Sequence, residues 1–522
     1  MSWRPEVRHF NRIHQVADAW AARTPRNIAL RDKLMSVDYG TLSSLSASLA
    51  DRLGHMGVRA GDRVLIIGEN CVAACVIMLA VSRLDAWFSF VNARLSPREI
   101  DGFIEHATPR LTLYTCQVSE NALEHAIRHK AAPLGFAALG NIYTSLPNEA
   151  SVAEPASPDP AEQVAAMVYT SGTSGSPKGV MLTHANVLFI ANQACTSRRM
   201  QPGDVLYGVL PMAHVVGLVT QFLGAIAGGA AVLLEPRFSA GLALSALTNE
   251  KITLFVGVPA MFARLLEQAQ TQSLSICCPA LRFIGTSGSP LTPKLKKEIQ
   301  DMFGLPLNNG YGLSETAPTV AQTRIDQPRQ DCSVGLPIPG IEISIVDTAG
   351  TPVKQGDVGM LRVRGPNVMK GYYRNEALTR DVLSPDGWFS TGDLVRQDED
   401  GALHIAGRSK ELIIRSGFNV YPLEVEQVIN SHPAVIHSAV VGRTVEHNEE
   451  VVAFIELNRP EQPEDQSDFR SYLRERLSPY KLPAEIRFLF PLPTAPTGKI
   501  LKNVLKQLAA CADNGQHAAT PN

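Results

Sequence analysis

Residues 169–186 read YTSGTSGSPKGVMLTHAN, and the order of these residues decides how the rest of the chain is interpreted. Positions 170–179 hold three glycines (Gly172, Gly175 and Gly179), the hydroxyls of Thr170, Ser171, Thr173 and Ser174, then Ser176, and one cation, Lys178. Polyphosphate needs many short donors converging on its oxygens, and glycine lets a backbone come close and take positive φ. Lys178 adds a point charge for the distal phosphates. The apolar run 164–168 leads into the loop as a strand does. A flexible Ser/Gly linker has a similar composition, but a linker is seldom bounded by Ala165-Ala166-Met167-Val168 on one side and Val180-Met181-Leu182 on the other. The stretch therefore reads as a phosphate loop entered from a buried strand.

Working outward, the same alternation of short apolar runs and helical spacing recurs on both sides. Ile13, Val16, Ala17 and Trp20 stand at helical spacing, a strand is expected over 28–31, and Thr41 can cap a helix whose face is Leu42, Leu45, Leu49 and Leu53. Strand 64–67 and helix 71–81 continue the rhythm, which resumes at 252–256 and 281–284. Repeated strand, turn and helix units predict doubly wound, largely parallel sheets in two similar halves. Residues 145–163, with Pro147, Pro155, Pro158 and Pro160, read as an exposed connection. Beyond about residue 332 the pattern changes to alternating strands at 342–346, 359–364 and 402–405, which predict a small antiparallel barrel. From Lys410 the order is strand, helix, strand, strand, helix, strand, a smaller mobile α+β domain with helices near 422–430 and 467–477. The expected domains are thus 1–409, 410–511 and a polar tail, 512–522, expected to be disordered.

The chain has 522 residues, 48 basic against 50 acidic, and a formal net charge of −2. That balance offers no field for nucleic acid or an anionic membrane, so anionic ligands must be held by local cations. Eight cysteines without CxxC spacing fit idle thiols in a reducing compartment. The N-terminus has no apolar signal region, and a cytoplasmic protein is expected. Residues 213–234 carry no acid, lysine or arginine, yet divide at Gly228-Gly229; they read as a buried helix, a turn and the strand 230–234 rather than a membrane span.

Six further stretches carry chemistry. Asn309-Gly310-Tyr311-Gly312-Leu313-Ser314-Glu315-Thr316 sets an aromatic between glycines ahead of a hydroxyl and a carboxylate; alone it serves equally as a glycine turn opening an acidic helix. Ser390-Thr391-Gly392-Asp393 and Gly407-Arg408-Ser409-Lys410 are weak signals singly. Residues 413–422 (IIRSGFNVYP) contain Gly417, which an ordinary glycine hairpin also explains, and 493–500 (PTAPTGKI) contain Lys499. Leu210-Pro211-Met212-Ala213-His214 sets a histidine among apolar residues, a pattern common to satisfied core histidines.

Together these stretches resemble the signatures of the adenylate-forming (AMP-binding) enzymes: acyl-CoA synthetases, peptide-synthetase adenylation domains and beetle luciferases. The resemblance runs through residues 169–502 and implies ATP, Mg²⁺ and coenzyme A as cofactors. It implies that Thr170, Ser171, Gly172, Thr173, Ser174, Gly175 and Lys178 cradle phosphates, and that Asn309, Gly310, Tyr311 and Gly312 surround the nucleotide, with Tyr311 on adenine. Ser314 would bond the α-phosphate, Glu315 would hold Mg²⁺, and Asp393 with Arg408 would meet the ribose. Lys410 would be the hinge, and Gly417 would pass the pantetheine arm. Lys499 would stabilise charge as the adenylate forms. The acyl site would be lined by His214, Val216, Thr220, Gly288, Gly312 and Ala317, with Gly288 also beside the nucleotide. Departures are few: Ser314 stands for threonine, Met360 for an acid, Lys502 for arginine, and His447-Asn448-Glu449 lacks a glycine.

The implied reaction converts a carboxylic acid to acyl-AMP and then to a thioester, with two poses of the C-terminal domain. With no carrier module present, transfer to CoA is preferred over loading of a separate carrier protein, and a luciferase-type oxygenase is a distant third. Gly257, Val258 and Pro259 offer no acid to grip an amino group, which disfavours amino acids. The apolar wall suggests a medium- to long-chain fatty acid, with an aryl acid as alternative, or a dicarboxylic acid paired by Arg237 or Arg282. For CoA phosphates the candidates are Arg198, Arg199, Arg415 and Arg443. No transmembrane segment is expected, and a homodimer is one assembly open to the chain.

Overall fold

The apolar run before the phosphate loop does form a strand, Val164–Ser171, which pairs antiparallel with Pro177–Thr183. The computed structural model describes residues 10–171, 177–272, 276–416, 418–446, 448–494 and 500–510. The chain divides into two compact units, Met1–Gly288 with Lys297–Ile343 and Val363–Ser390, and Ser289–Lys296 with Ser344–Arg362 and Thr391–Asn522.

The first unit contains two large mixed sheets. One runs Leu336–Pro337, Thr319–Gln322, Leu307–Gly312, Phe283–Ser287, Leu254–Gly257, Val205–Gly208, Ala231–Leu234, Ile28–Arg31, Ser36–Asp38. Its six inner strands are parallel, while the outer strands pair antiparallel. The other runs Gly371–Tyr372, Pro177–Thr183, Val164–Ser171, Trp87–Asn92, Arg63–Gly68, Leu111–Thr115, Ile142–Thr144, Ala132–Pro133, with a parallel centre of four strands. The doubly wound halves expected from the alternation are these two sheets. Helix Val72–Arg83 reads VAACVIMLAVSR and has no polar face, so it must be covered all round; every residue but Arg83 is buried.

Three local readings change. The helix expected from Thr41 is Tyr39–His55, because the carboxylate of Asp38 accepts the Thr41 N–H at 2.7 Å and takes the capping role. The 145–163 connection is exposed over much of its length but anchored: Arg63, almost fully buried, donates to the Val152 carbonyl at 2.6 Å, and Ser151 donates to the Thr108 carbonyl at 2.8 Å. The 213–234 segment is helix, turn and strand as expected, but its helix opens as a π-helix, Val216–Leu223, before the α-turn Gly224–Ala227. Among the described residues no helix is long and apolar enough to cross a membrane.

The strands expected to form a small barrel make a four-stranded sheet, Glu342–Val346, Val358–Arg364, Phe389–Gln397, Leu403–Arg408. In the second unit the strands Val435–Val445, Asn448–Leu457 and Glu485–Phe488 form a sheet whose period-two alternation feeds two cores. Val440, Val451, Ala453 and Ile455 meet Val425 and Ile429 of helix Pro422–Asn430 and Phe469 and Leu473 of helix Asp465–Arg474. On the opposite face Ala439, Val441, Val452 and Phe454 meet Leu505 and Ala509 of helix Lys502–Ala510.

Candidate active site

In an open parallel sheet, ligands settle beyond the carboxyl ends of the strands. Here strands Val205–Gly208, Leu254–Gly257, Phe283–Ser287 and Leu307–Gly312 run parallel, so Gly288, Gly312 and the loop after Gly208 leave the sheet along one edge. Gly288 has φ +85°, and Gly312 is exposed at the turn into Ser314–Thr316. A Cβ on Gly312 would fall 1.9 Å from the Pro318 carbonyl oxygen, whereas one on Gly310 would lie 3.3 Å from the nearest atom, the Ala321 oxygen. Gly312→Ala is accordingly expected to cost about 1–3 kcal/mol of stability through overpacking, and Gly310→Ala far less. Thermal melting of the two variants checks this.

Glu315 stands at that edge, its carbonyl accepting the Met369 N–H at 2.9 Å and its Oε1 accepting the Tyr372 hydroxyl at 2.8 Å. Strand Gly371–Tyr372 in turn pairs with the phosphate hairpin, Tyr372 opposite Val180. Within that hairpin Thr170 faces Lys178 across the ladder, and the Lys178 Nζ lies 5.7 Å from the centroid of the Tyr372 ring. The structure thus brings together Thr170 and Lys178 of the phosphate loop and Glu315 of the second motif, through a tyrosine that no motif marked. Tyr372 followed the expected signatures only as part of an unremarkable Gly-Tyr-Tyr, and its signal was the edge-strand pairing rather than residue type. Glu315 Oε2 has no hydrogen-bond partner among the described residues, which leaves a hard oxygen donor for a divalent cation and fits Mg²⁺.

Beneath the hairpin, Tyr169 rests on Phe103 with ring centroids 4.4 Å apart, and its hydroxyl meets His106 Nδ1 at 2.9 Å. Burial first, then the Arg374 charge, hold His106 below the usual histidine range, so the imidazole is neutral and the pair is a plain hydrogen bond.

Three expected site residues are engaged by the protein itself. Asn309 is buried; its Nδ2 donates to the Cys332 and Ser333 carbonyls at 3.2 and 3.1 Å, and its Oδ1 accepts the Gly310 N–H. Thr220 is buried on the π-helix, its hydroxyl donating to the Val216 carbonyl at 2.8 Å. Ala317 is fully buried with φ +61°.

His214 and Val216 open the π-helix. Its approach is fixed by Asn70, which binds the Gly208 and Leu210 carbonyls and the Met212 N–H, and by Gln221, which bridges Leu210 and Val256. A Cβ on Gly217 would lie 2.3 Å from the Pro211 carbonyl oxygen, so only glycine admits this close return of the chain. His214 keeps exposed surface, and the protein packed about its ring desolvates the charged form and lowers its pKa. The imidazole is therefore neutral at physiological pH. Arg198, fully enclosed below the π-helix, donates to the Thr220 carbonyl at 2.8 Å and stacks on Phe283; burial draws its pKa down to about 10.

In the second unit Asp393 and Arg408 are cross-strand partners, and Arg408 Nε donates to Asp393 Oδ1 at 3.1 Å. Lys410 is exposed in the short 3₁₀ turn Ser409–Glu411. Next to it, Glu411 accepts from Lys502 Nζ at 3.0 Å, and Glu426 lies 2.7 Å from the same ammonium. Burial opposes that charge, but the two carboxylates outweigh it and hold the Lys502 pKa above the usual lysine range. The lysine standing in place of arginine thus links the hinge candidate to the chain that follows Lys499.

Of the arginines expected for CoA phosphates, Arg198 is buried, Arg443 pairs with Glu450 and Glu485, and Arg415 donates to the Tyr480 and Leu482 carbonyls. Arg237 pairs with Glu69, and Arg282 with Asp204, so neither is free for a second substrate carboxylate. Gly172, Thr173, Ser174, Gly175, Gly417, Lys499 and the 512–522 tail lie outside the described residues, as does the side chain of Ser171.

Residues 17–373 match the AMP-binding enzyme family, and residues 424–499 match the AMP-binding enzyme C-terminal domain. The chain is 33% identical to indoleacetate–CoA ligase of Aromatoleum aromaticum, over 94% of this chain and 97% of that protein. It is 31% identical to feruloyl-CoA synthase of Amycolatopsis, covering 95% and 99%, and 29% identical to sulfoacetate–CoA ligase of Cupriavidus necator, covering 96% and 98%. Among solved structures it resembles o-succinylbenzoate coenzyme A synthetase of Bacillus subtilis in complex with ATP and magnesium, at 28% identity and a TM-score of 0.80, covering 94% and 99%. The chain belongs to the AMP-binding enzyme family and is an adenylate-forming acid–thiol ligase that uses ATP, Mg²⁺ and CoA.

Proposed function

We propose that the acid activated by this ligase is aromatic, an arylacetic or arylpropenoic acid in class. The observation that carries this reading is the aromatic acid in the names of the indoleacetate and feruloyl relatives, both covered along almost their whole length. The acyl wall suits it: Val216, Gly288 and Gly312 present little polarity, and the Thr220 hydroxyl is turned into its own helix. This replaces the fatty acid expected from the apolar wall alone. The dicarboxylic alternative keeps the likeness to o-succinylbenzoate coenzyme A synthetase in its favour, but Arg237 and Arg282, the cations expected for a second carboxylate, both have carboxylate partners within the fold.

In this reading the carboxylate attacks the α-phosphorus of ATP, pyrophosphate leaves, and the CoA thiol then displaces AMP from the acyl carbon. Lys178 and Thr170 hold the distal phosphates, Ser314 the α-phosphate, Tyr311 the adenine, and Asp393 with Arg408 the ribose. Mg²⁺ would be held by Glu315 and would offset phosphate charge. Neutral His214 borders the acid without adding a charge to it. Lys499 acts in adenylation, Gly417 borders the thiol path, and Lys410 is the hinge between domains 1–409 and 410–511. The seven described cysteines are all free, which supports a cytoplasmic setting. A homodimer is proposed as the working form, with light scattering as its check.

The acid class is tested by measuring CoA thioester formation with indoleacetate, ferulate, a C8–C16 fatty acid series, malonate and sulfoacetate. An aromatic acid is expected to give kcat/KM at least about tenfold above any other class, the discrimination available from roughly 1.4 kcal/mol of pocket fit. A fatty acid leading the series would refute the aromatic reading.

A further inference from the structure

Lys178 and Glu315 pose an electrostatic problem that the fold has solved. A cation and a carboxylate brought together near one ligand site attract each other, and a pair that closes in the empty enzyme must be broken before either group can serve phosphate or metal. Neither residue has an ion-pair partner among the described residues. What stands with both of them is Tyr372. Its ring faces the Lys178 ammonium at 5.7 Å from the centroid, and its hydroxyl donates to Glu315 Oε1 at 2.8 Å.

The tyrosine is itself held firmly. Lys370 N–H donates to the Met181 carbonyl at 3.0 Å, Tyr373 N–H to the Gly179 carbonyl at 2.8 Å, and Tyr372 is buried, 7% exposed. Its hydroxyl is half of a phenol–carboxylate hydrogen bond in which only the phenol has a proton to give, so it is the donor. One aromatic side chain therefore satisfies the cation with its face and the carboxylate with its edge, and leaves Oε2 of Glu315 open.

We propose that Tyr372 is a positioning residue that separates Lys178 from Glu315 and orients the Glu315 carboxylate for Mg²⁺, so that the phosphate site is ready before ATP arrives. The proposal rests on the nucleotide roles assigned to Lys178 and Glu315 above. It needs no acid and no CoA, and its test uses neither.

The test is calorimetric titration of the full-length protein with ATP in EDTA, and then of the ATP-loaded protein with Mg²⁺, for wild type, Tyr372→Phe, Tyr372→Leu and Tyr372→Leu combined with Glu315→Gln. Thermal melting confirms that each is folded. Tyr372→Phe keeps the ring and loses the donor, so Mg²⁺ affinity is expected to fall on the order of tenfold, the worth of one hydrogen bond to a charged group, while metal-free ATP binding is unchanged. Tyr372→Leu lets the pair close, so metal-free ATP affinity falls as well. Removing the carboxylate in the double variant restores metal-free ATP binding, which a merely structural tyrosine would not allow. Wild-type Mg²⁺ affinity in Tyr372→Phe overturns the proposal, as does a double variant that binds ATP no better than Tyr372→Leu. Should Tyr372→Leu fail to fold, Tyr372→Phe decides alone. A wild type that binds no ATP at all would refute the nucleotide site, and the proposal with it; a wild type that binds ATP yet forms no aryl-CoA would refute only the choice of acid.

Discussion

Lys499→Ala lowers acid-dependent pyrophosphate release by about 10²–10³-fold, the usual effect of removing one preorganised group from a developing charge. A much smaller loss is expected when preformed acyl adenylate and CoA are supplied and only thioester formation is followed. The asymmetry follows from the two half-reactions. Negative charge builds on the phosphoryl oxygens as the carboxylate displaces pyrophosphate, and the proposed role of the lysine in the PTAPTGK segment is to meet that charge. In the second half-reaction charge builds instead on the acyl oxygen and the departing AMP phosphate, and in the proposed cycle of two poses the C-terminal segment with the lysine has then left the phosphate. Rapid-quench measurement of each half-reaction separates the two. Equal losses in both would mean that Lys499 serves binding or folding rather than adenylation.

Glu315→Gln gives the second large effect. Glutamine keeps the shape and can still accept the Tyr372 hydroxyl through its amide oxygen, so the variant removes charge with little change in packing. Pyrophosphate release at saturating acid is expected to fall by about 10²-fold and to need far more Mg²⁺ to reach half its maximum. Chelation of divalent metal should abolish release by the wild type. Titrating Mg²⁺ at fixed ATP checks both. A variant with wild-type rate and metal requirement would show that another group holds the metal.

Much of this was legible in the residues. Glycines, hydroxyls and a lysine packed into positions 170–179 between two apolar runs admit few other uses, and the apolar runs did become paired strands. Helix Pro422–Asn430 was legible because proline fixes its first turn and Val425 and Ile429 mark its inner face. Less legible were features made by long-range pairing. Tyr372 reaches Glu315 only because a two-residue strand adds to the edge of the phosphate hairpin, and no local pattern encodes that partner. Asn309 and Thr220 carry ligand-like side chains, yet the backbone carbonyls of Cys332, Ser333 and Val216 use their donors. Charge alone was equally ambiguous for Arg198: its sequence neighbourhood is that of a surface arginine, and its place under the π-helix depends on the carbonyl of Thr220, 22 residues away. The acid was the least legible feature, because an apolar wall fits an acyl chain and an aromatic ring alike.

The most direct measurement is pyrophosphate release from Mg-ATP by the purified wild-type protein, with an aromatic acid, with and without CoA. The expected result is release that requires the acid and is accelerated by CoA, with AMP and aryl-CoA formed in equal amounts. Release that ignores the acid, or acid-dependent release that CoA leaves unchanged, would contradict the account of this chain as an acid–thiol ligase.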